Sequence, residues 1–247
     1  MKPYYDEDGI TIYHAEATTV LPSLEAGSVS VVLADPPYSS GGMVRNDRNA
    51  LTSAKYQRSG VPVLNEFTGD NRDQRAWTSW MSNWLWEAQR VTRPAGLCFV
   101  FTDWRQLPAT TDAIQWGGWI WRGIVTWHKP GGRRLQNRFA SDAEYVVWGS
   151  NGPMPFDLES PAGPSSVVSA NASTGTDREH IAQKPVEVMR HLLALDRTGG
   201  TVLDPFLGTG PTLRAAKDLG RKAIGIEIEE RYCEIAVQRL AQGVLAL

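Results

Sequence analysis

The 247 residues carry 25 Lys plus Arg against 27 Asp plus Glu, a net charge of -2, with 42% apolar and 21% charged residues. That balance suits one globular domain over residues 1–247 able to bury roughly 70 to 75% of its unfolded surface, and it excludes a chain disordered over most of its length. No apolar run reaches the roughly 18 residues of a membrane span, and the acidic start, Met1 to Asp8, is unlike a signal peptide, so a soluble, unexported protein is expected. Cys98 and Cys233 lie far apart in apolar settings, giving neither a disulfide framework nor zinc spacing, and a reducing cytoplasm is the default location.

In chain order, the apolar runs Thr11 to His14, Val29 to Ala34, Gly96 to Phe101, Ile120 to His128, Glu144 to Trp148, Thr201 to Leu203 and Lys222 to Ile226 predict strands. Amphipathic stretches between them predict helices over Arg75 to Thr92, Arg105 to Gln115, Pro185 to Asp196, Gly210 to Leu219 and Glu229 to Gln242. The alternation predicts an α/β fold with a mostly parallel sheet between helix layers. Trp77, Trp80 and Trp84 recur at helical spacing and read as core; Trp104, at a strand end, reads equally as a ligand border.

Two stretches break the pattern. Residues 39–73 are long and polar, with Arg45, Arg48, Lys55 and Arg58, and read as a mobile loop serving a site. Residues 151–177 are rich in Pro, Gly, Ser, Ala and Asn and read as an irregular insert. Between Ala113 and Ser141 stand Arg122, Lys129, Arg133, Arg134 and Arg138 with no acid.

The chemistry concentrates at two strand ends. After Val29 to Ala34 comes Asp35-Pro36-Pro37-Tyr38, a tetrapeptide expected by chance in roughly one chain in a thousand of this length. Carboxyl ends of parallel strands are where open α/β sheets hold ligands, and successive prolines fix φ while leaving carbonyls as acceptors. Asp35 and the Pro36 carbonyl thus form paired acceptors for an amino group with two hydrogens, beside the flat ring of Tyr38. After Thr201 to Leu203, Asp204-Pro205-Phe206-Leu207-Gly208-Thr209-Gly210 turns into a helix, and its glycines permit close backbone approach to a ligand. With no Gly-Lys-Ser/Thr it is not a phosphate loop. Glu227 ends the next strand, where an acid binds a ribose diol.

Together these residues resemble the S-adenosylmethionine-dependent amino-methyltransferases of DNA, in the beta order that places the catalytic motif before the cofactor motif, over nearly the whole chain. The resemblance implies a Rossmann-like methyltransferase fold, permuted so that the catalytic strand comes first. Asp35, Pro36, Pro37 and Tyr38 match the family's catalytic tetrapeptide; Asp204, Pro205, Phe206, Gly208 and Gly210 match its cofactor loop. Gln183 and Lys184, in His180-Ile181-Ala182-Gln183-Lys184-Pro185, fall where the methionine end of the cofactor is held. Glu227 falls at the ribose hydroxyls and Glu16 where the adenine ring is bordered. Trp127 to Pro130 and Glu144 to Trp148 resemble the later strands.

The implied activity is site-specific transfer of a methyl group from S-adenosylmethionine to the exocyclic N6 of adenine in double-stranded DNA, since Asp leads the tetrapeptide where cytosine-N4 relatives more often carry Ser. Arg45, Arg48, Lys55, Arg58, Lys129, Arg133, Arg134 and Arg138 are the expected phosphate contacts, with residues 39–73 a DNA-contacting loop and residues 151–177 a candidate target-recognition region. The target must leave the duplex stack to be reached. No metal is required. A homodimer and a cognate restriction endonuclease are compatible partners. Methylation at ring carbon 5 is excluded, because neither cysteine is placed as a nucleophile. Cytosine N4 methylation, a noncatalytic DNA-binding module, and a methyltransferase acting on RNA, protein or a small molecule remain open readings.

Overall fold

A computed structural model describes residues 1–38, 72–133, 136–137, 139–155, 161–171 and 184–241. Among the described residues, nine strands form one sheet in the order β1-β2-β9-β8-β3-β4-β6-β5-β7. They are β1 (Tyr5–Glu7), β2 (Ile10–His14), β3 (Val29–Ala34), β4 (Thr92–Thr102), β5 (Ile120–Arg133), β6 (Ser141–Ser150), β7 (Val167–Ser169), β8 (Val202–Asp204) and β9 (Ala223–Glu227). The central strands β2, β9, β8, β3 and β4 are mutually parallel, whereas β6 runs against both β4 and β5.

The helices are α1 (Ala17–Val20), α2 (Gln74–Val91), α3 (Leu107–Trp116), α4 (Val186–Leu193), α5 (Pro211–Asp218) and α6 (Glu230–Ala241). Period-2 alternation divides the strand side chains between two cores. Val31, Leu33, Phe99 and Phe101 pack with α4, α5 and α6, while Val32, Ala34, Cys98 and Val100 pack with α1, α2 and α3. Coverage on both faces explains why β3 is buried at every position and reads as a continuous apolar run. Asp73 starts α2 by accepting the Ala76 N–H at 3.0 Å, and Pro94 follows soon after its end. No described helix is long and apolar enough to cross a membrane.

The seven strands and five helices expected from the sequence are present. Among the described residues, four short elements were not anticipated: β1, β7, the single turn α1 and the 3-10 turn Leu21–Ser23 that follows it. The β1–β2 hairpin closes through Asp8 (φ 53°) and Gly9 (φ 76°), a two-residue turn whose paired positive φ values suit Asp-Gly.

The register positions the site. Val32 of β3 pairs with Leu203 of β8, so Asp35 and Asp204 emerge side by side though far apart in sequence. From β8 the chain proceeds through α5 to β9 on one side; from β3 it proceeds through α2 to β4 on the other. The reversal opens a crevice between β3 and β8, the place where such sheets bind ligands.

Candidate active site

The Asp35-Pro36-Pro37-Tyr38 corner is held from three directions. The Trp77 indole N–H of α2 donates to the Pro37 carbonyl at 2.8 Å, and Gln106, just before α3, donates through Nε2 to the Tyr38 carbonyl at 2.8 Å. The Tyr38 hydroxyl donates to Asp35 Oδ1 at 2.7 Å. Burial, and then the Asp35 charge, push the Tyr38 hydroxyl well above its usual range, so it stays a protonated donor.

Behind the corner lies an alternating row of charges. Lys184, only 4% exposed, places Nζ 2.9 Å from Asp35 Oδ2 and 3.4 Å from Glu144 Oε2; Lys129 Nζ donates to Glu144 Oε1 at 3.0 Å. The Lys184 ammonium also sits 5.2 Å from the centre of the Tyr38 ring and 5.5 Å from that of Phe101. Burial raises the Asp35 carboxyl above its ordinary value, with Lys184 opposing. Burial lowers the Lys184 ammonium, but Asp35 and Glu144 outweigh it and hold it above its usual range. For Glu144 burial is again opposed, here by Lys184 and Lys129, and the net direction is downward.

Across the crevice, Asp204 accepts the Phe206 N–H at 3.0 Å. Burial, opposed by the Thr212 hydroxyl and the Phe206 N–H and reinforced by Asp35 and Glu227, pushes its carboxyl up to about 7. Pro205 is buried, and Phe206 packs on Trp80 and Trp84 with ring centres 5.4 and 5.1 Å away. Gly208 and Gly210 both take positive φ (51° and 81°); a side chain at Gly208 would enter open space, whereas one at Gly210 would meet Ala236 Cβ at 2.9 Å. Glu227 braces this loop: Oε2 accepts the Gly208 N–H at 2.7 Å and Oε1 the Glu229 N–H at 2.9 Å. Burial raises its carboxyl, the backbone donors opposing. Exposed Glu16 follows β2 at the same rim, where the Ala15 N–H reaches the Glu227 carbonyl at 2.9 Å.

One edge of the sheet thus gathers Asp35 to Tyr38, Lys184, Asp204 to Gly210, Glu227 and Glu16. Lys129 lies at this edge, directed onto Glu144. Arg133 ends β5, and its side chain is not described. Gln183, Arg45, Arg48, Lys55, Arg58, Arg134 and Arg138 lie outside the described residues, as do residues 39–71 of the expected loop and residues 156–160 and 172–177 of the insert. Trp77 and Trp84 are core as expected, and Trp80 is half-buried; Trp104 is 61% exposed with the Arg105 guanidinium 5.2 Å from its ring centre.

Sequence reasoning assigned no role to Glu144 or Gln106, nor the Pro37 bond to Trp77. A signal for Glu144 was present: an acid directly before the apolar run of its strand, which the hairpin register sets across from Trp127, two residues before Lys129. The buried acids, glycine turn and aromatic wall are suited to a cationic, diol-bearing, flat ligand such as S-adenosylmethionine: the space at Gly208 admits close approach, and the Glu227 oxygens keep lone pairs beyond their backbone bonds.

A mostly parallel sheet with paired acidic strand ends at its reversal point defines a Rossmann-like nucleotide-cofactor enzyme. The comparisons narrow the class: a family described as DNA methylase matches residues 29–238, and the chain belongs to that family of S-adenosylmethionine-dependent DNA amino-methyltransferases. It is 26% identical to the type II methyltransferase M2.LlaDCHI of Lactococcus lactis subsp. cremoris, covering 98% of this chain and 93% of that protein. It is 25% identical to the type II methyltransferase M2.DpnII of Streptococcus pneumoniae, covering 97% and 92%. In fold it is similar to the cytosine-N4-specific PvuII DNA methyltransferase (TM-score 0.73, 18% identity, 99% and 91% covered) and to M1.HpyAVI in complex with its cofactor (TM-score 0.67, 22% identity, 94% and 99% covered).

Proposed function

We propose that this DNA methyltransferase modifies adenine at N6, site-specifically in double-stranded DNA, with Asp35 and the Pro36 carbonyl as the two acceptors for the amino group. The observation that carries the reading is the Asp35 carboxylate, fixed by Tyr38 and Lys184 beside the Asp204 to Gly210 loop. Asp at the head of the tetrapeptide, where cytosine-N4 relatives more often carry Ser, favours adenine.

An exocyclic amine is a poor nucleophile because its lone pair is delocalised into the ring. Two acceptors gripping its hydrogens draw the nitrogen toward tetrahedral geometry and orient its lone pair. Asp35 accepts one N–H and the Pro36 carbonyl the other. With the Pro37 carbonyl bonded to Trp77 and the Tyr38 carbonyl to Gln106, the corner is fixed before the base arrives. Lys184 lies against the Tyr38 ring, and stacking of the base on that ring offsets part of the few kcal/mol spent on flipping. When bound, S-adenosylmethionine supplies an electrophilic methyl group on a sulfonium. Asp204, Pro205, Phe206, Gly208 and Gly210 wall its pocket, Glu227 accepts from the ribose hydroxyls, Glu16 borders the adenine ring, and Gln183 with Lys184 flanks the methionine end.

Arg45, Arg48, Lys55, Arg58, Arg133, Arg134 and Arg138 contact phosphates, whereas Lys129, expected among them, is committed to Glu144 and offers the DNA no free charge. Residues 151–177 contribute to target recognition. A cognate restriction endonuclease fits the likeness to type II methyltransferases. The test is incubation with unmodified duplex DNA and S-adenosylmethionine, followed by nucleoside mass spectrometry. N6-methyladenine is expected; N4-methylcytosine, or no modified base, overturns the reading. Asp35→Ala should abolish transfer while cofactor binding by calorimetry is largely kept.

A further inference from the structure

The proposed reaction uses Asp35 as an acceptor but leaves unexplained why the carboxylate shares a buried ammonium with a second acid. Taking an ammonium out of water costs several kcal/mol unless it is compensated, and one carboxylate suffices for charge balance. Here two compete for Lys184, at 2.9 Å (Asp35) and 3.4 Å (Glu144). Glu144 Oε2 is buried and makes no hydrogen bond among the described residues. Lys184 therefore rests on Asp35, with Glu144 Oε2 a second acceptor in ion-pair contact but farther away than a normal hydrogen bond.

We propose that Lys184 is a shared cation whose division between Asp35 and Glu144 sets how strongly Asp35 grips the amine, making Glu144 a positioning residue for methyl transfer; this inference rests on Asp35 being the amine's acceptor. An ammonium bonded to a carboxylate withdraws charge from it and weakens its acceptance of a weakly acidic N–H. Glu144 offers that ammonium another seat. As the amine engages Asp35, Lys184 leans toward Glu144 Oε2 and the carboxylate recovers acceptor strength where the nitrogen needs it. Lys129, bonded to the other Glu144 oxygen, keeps Glu144 ionised and in place.

The charged and titratable groups around Asp35 come from several elements: Tyr38 from its own segment, Lys184 from the approach to α4, Glu144 from β6 with Lys129 of β5 behind it, and Asp204 from β8. Asp103, between β4 and α3, acts on Tyr38. The signs follow. Removing Lys184 leaves burial and Glu144 acting on Asp35, so its proton affinity rises; removing the Glu144 charge deletes a repulsion and gives Lys184 wholly to Asp35, so it falls.

The experiment measures single-turnover transfer against pH, on DNA that the wild-type protein modifies, for wild type, Glu144→Gln and Lys184→Gln, with S-adenosylmethionine affinity titrated separately. Glu144→Gln should slow the plateau rate on the order of tenfold to hundredfold with cofactor affinity kept. Its acid limb should move down by about one pH unit, while that of Lys184→Gln moves up. Glu144→Asp should restore part of the rate. If Glu144→Gln fails to fold, Lys129→Gln serves: with less competition for Glu144, Lys184 leans away from Asp35 and the limb moves up. Unmoved limbs, or limbs displaced in the same direction by Glu144→Gln and Lys184→Gln, overturn the inference while leaving an active wild-type enzyme. A wild-type protein that methylates no DNA amine refutes the functional reading itself.

Discussion

Asp204 provides a stability measurement independent of turnover. Its side chain is 2% exposed and its carboxyl is raised from 3.8 to about 7, burial being the largest cause. Between those values the folded protein holds a proton that the unfolded chain has released, so unfolding stability falls with rising pH. The contribution is fully present below the unfolded value and is lost as pH climbs through the folded one. At about 1.36 kcal/mol per unit the full span is worth about 4 kcal/mol, and the part between about pH 5 and about pH 8 about 3 kcal/mol. Asp204→Asn removes the titration while keeping an acceptor for the Phe206 N–H. Urea unfolding of both proteins at these two pH values cancels in the difference the titrations of groups that do not act on Asp204, Asp35 and Glu227 being the two carboxyls that do. Wild type should lose about 3 kcal/mol relative to Asp204→Asn on going from the lower pH to the higher. A pH-independent difference would refute the argument that burial holds a proton on this acid.

Trp77→Phe keeps an aromatic ring in the core but deprives the Pro37 carbonyl of its donor, and should cost about 1 to 3 kcal/mol in urea unfolding and slow transfer without weakening cofactor binding. An unchanged rate would show that the corner needs no strap from α2. Gly210→Ala combines left-handed backbone, about 1 to 2 kcal/mol, with a 2.9 Å encounter with Ala236, whereas Gly208→Ala meets no atom within 4 Å. Thermal unfolding should therefore place Gly210→Ala below Gly208→Ala, and equal melting temperatures would contradict the packing against α6.

What could be read from the sequence divides along the range of the interactions. The runs Val29 to Ala34 and Gly96 to Phe101 announce themselves because each strand is covered on both faces. The corner at Asp35 and the loop at Asp204 are contiguous, so their chemistry is local. Tyr5–Glu7 escaped notice because an edge strand with one half-buried residue lacks the apolar pattern; only Asp8-Gly9 marks it. Trp77 was legible as core but not as a strap, since nothing in a helical repeat shows which indole N–H finds a carbonyl. Glu144 and Lys184 become partners of Asp35 only through sheet order and the approach to α4.

The antiparallel strand has a consequence for binding a polyanion. Parallel strands bring to the ligand edge the residues that follow them, but β6 runs the other way, so its beginning lies there: Glu144 stands beside Tyr145, which pairs with Thr102 at the end of β4. The same reversal turns the β5–β6 hairpin toward the edge bearing Asp35. Asp35 and Glu144 would by themselves repel phosphates. Lys184 and Lys129 neutralise them within the protein, as two carboxylates matched by two ammoniums. Under the proposed function, a row balanced in this way leaves the corner at Asp35 without excess negative charge to oppose the approach of a polyanion.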